Sequence, residues 1–121
     1  MGNLKDNNIL DQKSVAFALR IINAYKFLLN EKQEFIMSKQ LLRSGTGIGA
    51  LVREAEFAES RNDFIHKLSI ALKEANETDY WLTLLHESGY ISDDSFCSIQ
   101  SDSKELIKLL VSIIKTSKEK S

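Results

Sequence analysis

Residues 43–50 read RSGTGIGA and hold three of the chain's five glycines. As text, residues 45–50 fit the G-x-G-x-x-G/A pattern of a dinucleotide-binding turn. Such a turn needs a strand before the glycines and a helix after them. Residues 38–43, SKQLLR, instead have helical character, and an apolar stripe continues through the glycines. The segment therefore predicts a helix that packs closely against another helix, not a phosphate site.

Packing must offset the conformational cost of these glycines. Three glycines inside a helix cost about 3 kcal/mol relative to alanine, at about 1 kcal/mol each. Gly45 and Gly49 are four residues apart, so they share a face on which another backbone can approach closely. We predict both as helix-packing residues. A second row lies on another face and is a candidate contact to another protomer; it consists of Arg43, Gly47, Ala50 and Glu54.

Four segments carry apolar residues in alternating steps of three and four, which is helical spacing. The first stripe is Val15, Ala18, Ile22, Tyr25 and Leu29. The second is Leu41, Gly45, Ile48, Val52 and Ala55. The third is Phe64, Leu68, Ala71, Ala75, Thr78, Leu82 and Leu85, and the fourth is Phe96, Ile99, Ser103, Leu106, Leu110 and Ile113. These stripes predict helices near residues 13–29, 36–58, 61–88 and 93–117.

The ends of these helices are also marked. Ser60 and Ser92 stand where N-caps are expected, each followed by acidic residues that the helix dipole favours. Gly89 stands where a helix C-terminus favours a positive φ. The chain has no proline, and its connections are short, which is typical of antiparallel neighbours. We predict an all-α, antiparallel up-down four-helix bundle over residues 13–117, a flexible N-terminal segment 1–12 and a frayed tail 118–121.

The overall composition favours a soluble, cytoplasmic protein. The chain has 121 residues with 16 basic and 17 acidic side chains, so its net charge is −1. A nucleic-acid-binding domain usually carries a basic excess. The single cysteine, Cys97, cannot form an internal disulfide, which fits a reducing compartment. No apolar run has the length of a signal peptide or of a membrane span, so no membrane contact is expected.

Residues 41–85 resemble the bacterial four-helix-bundle family that is named for proteins encoded in intervening sequences of 23S ribosomal RNA genes. The resemblance is carried by the small-residue stretch from Arg43 to Ala55 and by KLSIALKEANETDYWL, residues 67–82. It extends more loosely over residues 13–115. The family is similar to the accessory variability protein of diversity-generating retroelements. The resemblance implies a homo-oligomer, a pentameric barrel of bundles, with no known catalysis.

The last helix supplies an independent reason to expect self-association. Its apolar residues cover more than one face, whereas a helix against a single core needs one stripe. They are Leu106, Ile107, Leu109, Leu110, Val111, Ile113 and Ile114. We therefore place Leu109 and Val111 among the candidate interface residues.

Residues capable of catalysis or metal binding do not form a recognisable set. A di-metal bundle needs paired Glu-x-x-His motifs, and the chain offers only one imperfect Asp63-x-x-His66. Cys97 has no histidine near it in sequence that could activate it. Glu74 and Glu77 fit ion pairs better than acid–base chemistry. We predict no catalytic residue, no cofactor, no metal and no enzymatic activity.

The sequence leaves three functions open. The first is a non-enzymatic, self-assembling helical scaffold or an adaptor on a ribonucleoprotein. The second is a nucleic-acid-binding ring, with RNA as a possible partner, in which modest basic patches are multiplied by copy number. Its candidate contacts are Arg43, Arg53, Arg61 and Lys67. The third is an enzyme whose site the sequence does not reveal.

Overall fold

The computed structural model describes residues 4–120, with side chains from Lys5 onward. Within that range the elements in chain order are α1 (Leu4–Lys32), α2 (Met37–Glu56), α3 (Arg61–Glu87) and α4 (Asp93–Glu119). Helix α2 packs against α1 and α3, and α4 packs against α3 and α1. Each helix thus has two neighbours, which confirms the predicted all-α bundle.

Side-chain contacts between α1 and α4 show that neighbouring helices run in opposite directions. Lys13 of α1 lies 2.5 Å from Glu105, near the middle of α4. Arg20, about two helical turns after Lys13 in α1, lies 2.7 Å from Asp102, which precedes Glu105 in α4. The connections of four or five residues between successive helices enforce the same antiparallel arrangement.

Helices α2 and α3 follow the predicted pattern closely. Every member of the predicted second and third stripes is buried, including Gly45 and the polar Thr78. The Ser60 hydroxyl accepts the backbone N–H of Asp63, and the Asp63 carboxylate accepts the N–H of Glu59, which closes a reciprocal cap on α3. Ser92 caps α4 by accepting the N–H of Ser95. Gly89 has φ +86°, so it terminates α3 in the left-handed conformation expected of glycine.

Helix α1 is longer than predicted and buries a different face. It begins at Leu4 rather than near residue 13, and Leu10 belongs to the hydrophobic core. Residues 4–12 of the segment predicted as flexible are therefore helical, and residues 1–3 lie outside the described range. The core face consists of Leu10, Ser14, Phe17, Ile21 and Leu28. It is offset by one residue, about 100° of helix rotation, from the predicted stripe that starts at Val15.

Helix α4 also extends further than the predicted end near residue 117. Helix α4 continues to Glu119, and Arg61 at the start of α3 donates a hydrogen bond to the carbonyl of Lys120. Two residues of the tail predicted to fray, Lys118 and Glu119, are therefore helical, while Ser121 lies outside the described range.

The link between α1 and α2 is closed by a buried carboxylate. Gln33 turns the chain with φ +49°, and the next residue, Glu34, is buried. The Glu34 carboxylate accepts the backbone N–H groups of Ile36, Met37 and Ser38 at 3.3, 3.2 and 2.7 Å. These donors have no partner within a helix, so the carboxylate replaces the missing intrahelical acceptors of α2. Glu34 lies between the first two predicted helices, near 13–29 and 36–58, where helical spacing does not indicate this role.

None of the helices between residues 4 and 120 combines the length and the apolar character that crossing a bilayer requires.

Candidate interaction surfaces

Two of the three glycines of α2 lie against α1. An added β-carbon at Gly45 would lie 2.8 Å from two side-chain carbons of Ile21. At Gly49 it would lie 3.4 Å from the Ser14 hydroxyl oxygen and 3.6 Å from the Ser14 carbonyl oxygen. The first position is too close for any side chain, and the second allows ordinary van der Waals contact. Through Gly45 and Gly49, the glycine segment therefore packs α2 closely against α1.

The third glycine lies on the opposite side of α2, against α3. An added β-carbon at Gly47 would be 3.5 Å from a carboxylate oxygen of Glu74. One turn earlier, Arg43 donates hydrogen bonds to Glu74, at 3.3 Å, and to Glu77. Glu77 also accepts the indole N–H of Trp81 at 3.0 Å. These five residues lie along the seam where α2 packs against α3, and we call this seam the α2–α3 groove.

The row that contains Arg43 and Gly47 is a predicted contact to another protomer. The structure shows that these two residues already contact α3 of the same chain. The other two members, Ala50 and Glu54, are exposed, and Glu54 lies 3.7 Å from Lys67 of α3. Ala50 and Glu54, nearer the C-terminus of α2, are thus the members of the row that are more accessible to another protomer.

Aromatic side chains border the α2–α3 groove. The rings of Tyr80 and Trp81 meet edge to face with centroids 5.1 Å apart. Tyr80 is exposed, whereas Trp81 is partly buried. Trp, Tyr and Arg are the residue types that dominate binding energy in protein interfaces. The groove therefore has a composition that suits a protein partner.

All four candidate nucleic-acid contacts have partners within the chain. Arg43 pairs with Glu74 and Glu77, and Arg53 lies 3.3 Å from Asp11. Lys67 lies near Glu54, and Arg61 donates to a backbone carbonyl. The acidic partners neutralise much of the positive potential that would attract a phosphate backbone. Arg53 and Lys67 line one surface depression, and they share it with the acidic side chains of Glu54, Glu59 and Asp63.

The two candidate interface residues of α4 lie on different sides of the helix, because residues two apart are separated by about 200°. Leu109 is partly buried and packs against the hydrophobic core. Val111 is 47% exposed. Most of the apolar excess of α4 is absorbed by the bundle itself, since Leu106, Leu110, Ile113 and Ile114 are buried. Helix α4 therefore presents less free apolar surface than its sequence suggested.

An exposed apolar face is found on α1 rather than on α4. Val15 is 41% exposed and Leu19 is 57% exposed. Ile22, which helical spacing places on the same face, is partly buried. We call these three residues the outer strip. The predicted first stripe, which contains Val15 and Ile22, thus marks a second apolar face of α1 rather than its core face.

The best-organised polar cluster outside the groove lies at the turn between α3 and α4. The His86 ring nitrogen lies 2.6 Å from a carboxylate oxygen of Asp93, and the imidazole stacks on Phe96 with centroids 4.1 Å apart. This arrangement fastens the start of α4 to the end of α3. Cys97 is exposed. Among residues 5–120, no three histidine, cysteine or acidic side chains converge as a metal site would require.

Comparison with known proteins places these features in a family context. The family model described as 23S rRNA-intervening sequence protein matches residues 6–112. A crystal structure from Bacteroides thetaiotaomicron VPI-5482, described as a protein with unknown function from the S23 ribosomal protein family, is 62% identical. The match covers 91% of this chain and 98% of the other, with a TM-score of 0.90. Comparison with the curated proteins finds no significant match.

Proposed function

The chain belongs to the 23S rRNA-intervening sequence protein family, and from this premise we propose that it is a non-enzymatic, self-assembling helical scaffold that acts as an adaptor on a ribonucleoprotein. The proposal has three parts: the chain associates with itself, it performs no catalysis, and its partner contacts are made with protein. Each part is supported by a different feature of the molecule.

The observation that carries the proposal is the outer strip of α1. A helix in a four-helix bundle needs one apolar face, and α1 already buries one in the core. Exposed apolar side chains in a contiguous row are typical of protein interfaces. The strip lies at a corner of the bundle, because α1 contacts only α2 and α4. A second protomer can approach this corner without disturbing the core.

The surface chemistry supports a scaffold rather than an enzyme. The acidic groups of the α2–α3 groove are occupied by Arg43 and by the indole of Trp81. Such pairing joins α2 to α3, and it favours a structural role for Glu74 and Glu77 over acid–base chemistry. The family names refer to 23S rRNA and to a ribosomal protein family, and this is the reason for proposing a ribonucleoprotein as the place of action.

Contact with protein is favoured over direct contact with nucleic acid. The net charge of −1 and the internal pairing of Arg43, Arg53 and Lys67 leave little unbalanced positive charge. The exposed surface instead offers apolar and aromatic side chains, with Leu19 and Tyr80 among the most exposed. These side chains bind protein surfaces well and phosphate backbones poorly.

Light scattering after size exclusion, at several micromolar concentrations, tests self-assembly. The resemblance to ring-forming bundles leads us to expect five times the 13.7 kDa chain mass. The variant Leu19→Glu places a charge in the outer strip and should lower the mass without loss of helical circular dichroism. The matched control is Asn76→Glu, which adds the same charge at an exposed position of α3, a helix that packs against α2 and α4 rather than α1.

Two results would contradict the proposal. A wild-type chain that stays at 13.7 kDa throughout the micromolar range would disprove self-assembly. A Leu19→Glu variant with an unchanged assembly mass would show that the outer strip is not the contact. A dimer or tetramer would keep the interface and correct the number of protomers.

A further inference from the structure

A small cavity opens at the end of the bundle where α1 begins, α2 ends and α3 begins. Its volume is about 160 Å³. The wall is mainly apolar and buried, formed by Leu10, Val52, Ala55, Phe64 and Leu68. Asn7, Asn8, Asp11 and Glu56 complete the lining. An apolar cavity of about 150 Å³ holds one benzene ring, so this cavity has room for a phenyl group.

The same end of the molecule carries a phenyl group outside the core. Phe57 is the C-cap residue of α2 and is 78% exposed, the largest value among the exposed large apolar side chains of the described residues. It borders a shallow surface depression with Ala50, Arg53 and Lys67. Exposing a phenylalanine to this extent forgoes the burial of up to roughly 150–250 Å² of surface. A partner that covers Phe57 would recover that burial.

We propose that Phe57 of one protomer inserts its ring into the cavity of a second protomer. The inference rests on the proposed self-assembly and identifies a contact through which it occurs. Ring and cavity match in size and in apolar character, and one chain carries both. A second copy of the chain therefore supplies a phenyl ring of the right size for the cavity, and no other partner is needed.

The positions of Phe57 and of the cavity on one protomer determine whether the contact joins like or unlike surfaces. Phe57 follows directly after Glu56, which lines the cavity, and consecutive helical residues point about 100° apart. Phe57 thus lies outside its own cavity, on the side of α2 that carries Ala50. Donor and acceptor surfaces face different directions, so the contact joins unlike patches. A contact of this kind builds a ring when its rotation closes.

The cavity also extends the surface that accepts the neighbour. Asn8 and Asp11 of its lining belong to α1, the helix that carries the outer strip. One neighbour can therefore cover Val15 and Leu19 while its Phe57 enters the cavity. This combination buries apolar surface from both features in one interface.

Complementation between two variants tests the contact. Phe57→Ala removes the ring and leaves the cavity, whereas Ala55→Leu fills the cavity and leaves the ring. Each variant alone should associate at least tenfold more weakly than wild type in light scattering. The two variants are then mixed in equal amounts, at a concentration between the dissociation constant of wild type and that of the single variants. The mixture should form pairs, because the ring of the Ala55→Leu chain meets the open cavity of the Phe57→Ala chain. Phe35→Ala, at a phenylalanine that is 53% exposed in the α1–α2 connection, is the control and should assemble as wild type does.

Benzene provides a second measurement that does not depend on how Ala55→Leu folds. The Phe57→Ala chain should bind benzene and melt at a higher temperature in its presence. The assembled wild type should show a smaller benzene shift because its cavities already hold Phe57.

Three outcomes would decide against the contact. If wild type assembles and Phe57→Ala assembles equally well, the Phe57 contact is wrong while the proposed self-assembly stands. An equal benzene shift in both proteins would mean that the cavity takes a small apolar solute and not Phe57. A wild type that never assembles would remove the proposed function together with this contact.

Discussion

Gly45 of α2 lies so close to Ile21 of α1 that an added β-carbon would be 2.8 Å from both Cγ atoms of the isoleucine. Ile21 is fully buried and branched at Cβ, so it cannot swing into solvent to make room. The glycine therefore sets how near the two helices approach. At Gly47, an added β-carbon would meet the Glu74 side chain at 3.5 Å, an ordinary contact with a flexible group.

Replacing Gly45 with alanine should destabilise the bundle. Overpacking a tight contact typically costs about 1–3 kcal/mol, and the gain in helix propensity returns about 1 kcal/mol. We expect a net loss of up to about 2 kcal/mol in the free energy of unfolding, measured by urea denaturation. Gly47→Ala is the matched variant on the same helix and should be neutral or stabilising by up to about 1 kcal/mol. Equal effects of the two substitutions would disprove the close-approach argument.

Replacing Glu34 with alanine should also destabilise the bundle, because three N–H groups at the start of α2 would lose their acceptor. Losing a helix cap costs about 0.5–2 kcal/mol, and hydrogen bonds to a charged acceptor lie at the upper end of that range. We expect a loss of about 2 kcal/mol, and a smaller loss for Glu34→Gln, which keeps an amide oxygen in place. Glu31→Ala, at an exposed position three residues earlier, should leave the denaturation midpoint nearly unchanged. If Glu31→Ala and Glu34→Ala behave alike, the capping role is refuted.

A buried hydroxyl pair links α2 to α3. The Thr78 hydroxyl lies 2.9 Å from the Ser44 hydroxyl, and each also contacts a backbone carbonyl of its own helix. Thr78→Val keeps the shape of the side chain and removes the inter-helix hydrogen bond, so it should cost about 1 kcal/mol. In a double-mutant cycle with Ser44→Ala, the two substitutions should not be additive, because they remove the same bond. Strict additivity in thermal melts would mean that the pair contributes nothing across the helix interface.

Binding to generic duplex RNA or DNA should be weak. Since Arg43, Arg53 and Lys67 face acidic partners and the net charge is −1, few counterions would be released on binding. We expect dissociation constants no tighter than about 10⁻⁶ M at physiological salt, measured by gel shift. Glu77→Gln, which removes one acidic partner of Arg43, should tighten binding only slightly. Nanomolar affinity for wild type would instead favour the nucleic-acid-binding ring.

Local sequence determined the elements of this fold that depend on neighbours within one helical turn. The caps at Ser60 and Ser92 and the positive φ of Gly89 arise from such short-range chemistry, and each was predictable. The same holds for the buried faces of α2 and α3, because the predicted stripes that start at Leu41 and Phe64 follow helical spacing and are buried throughout. The glycine segment was identified as helical for the same reason, since the stripe of α2 continues through it.

Tertiary structure decided which face of α1 is buried and which surfaces remain free. Two apolar registers, one residue apart, both satisfy helical spacing on α1, and contacts with other helices, such as Ile21 against Gly45, select one of them. The role of Glu34 and the burial of Leu109 likewise depend on chain segments brought together by folding. The cavity beside Phe57 needs three helices to form its wall, so no periodicity within one helix could reveal it. Periodicity identifies the apolar faces of a helix, but contact with other helices determines which of those faces is buried.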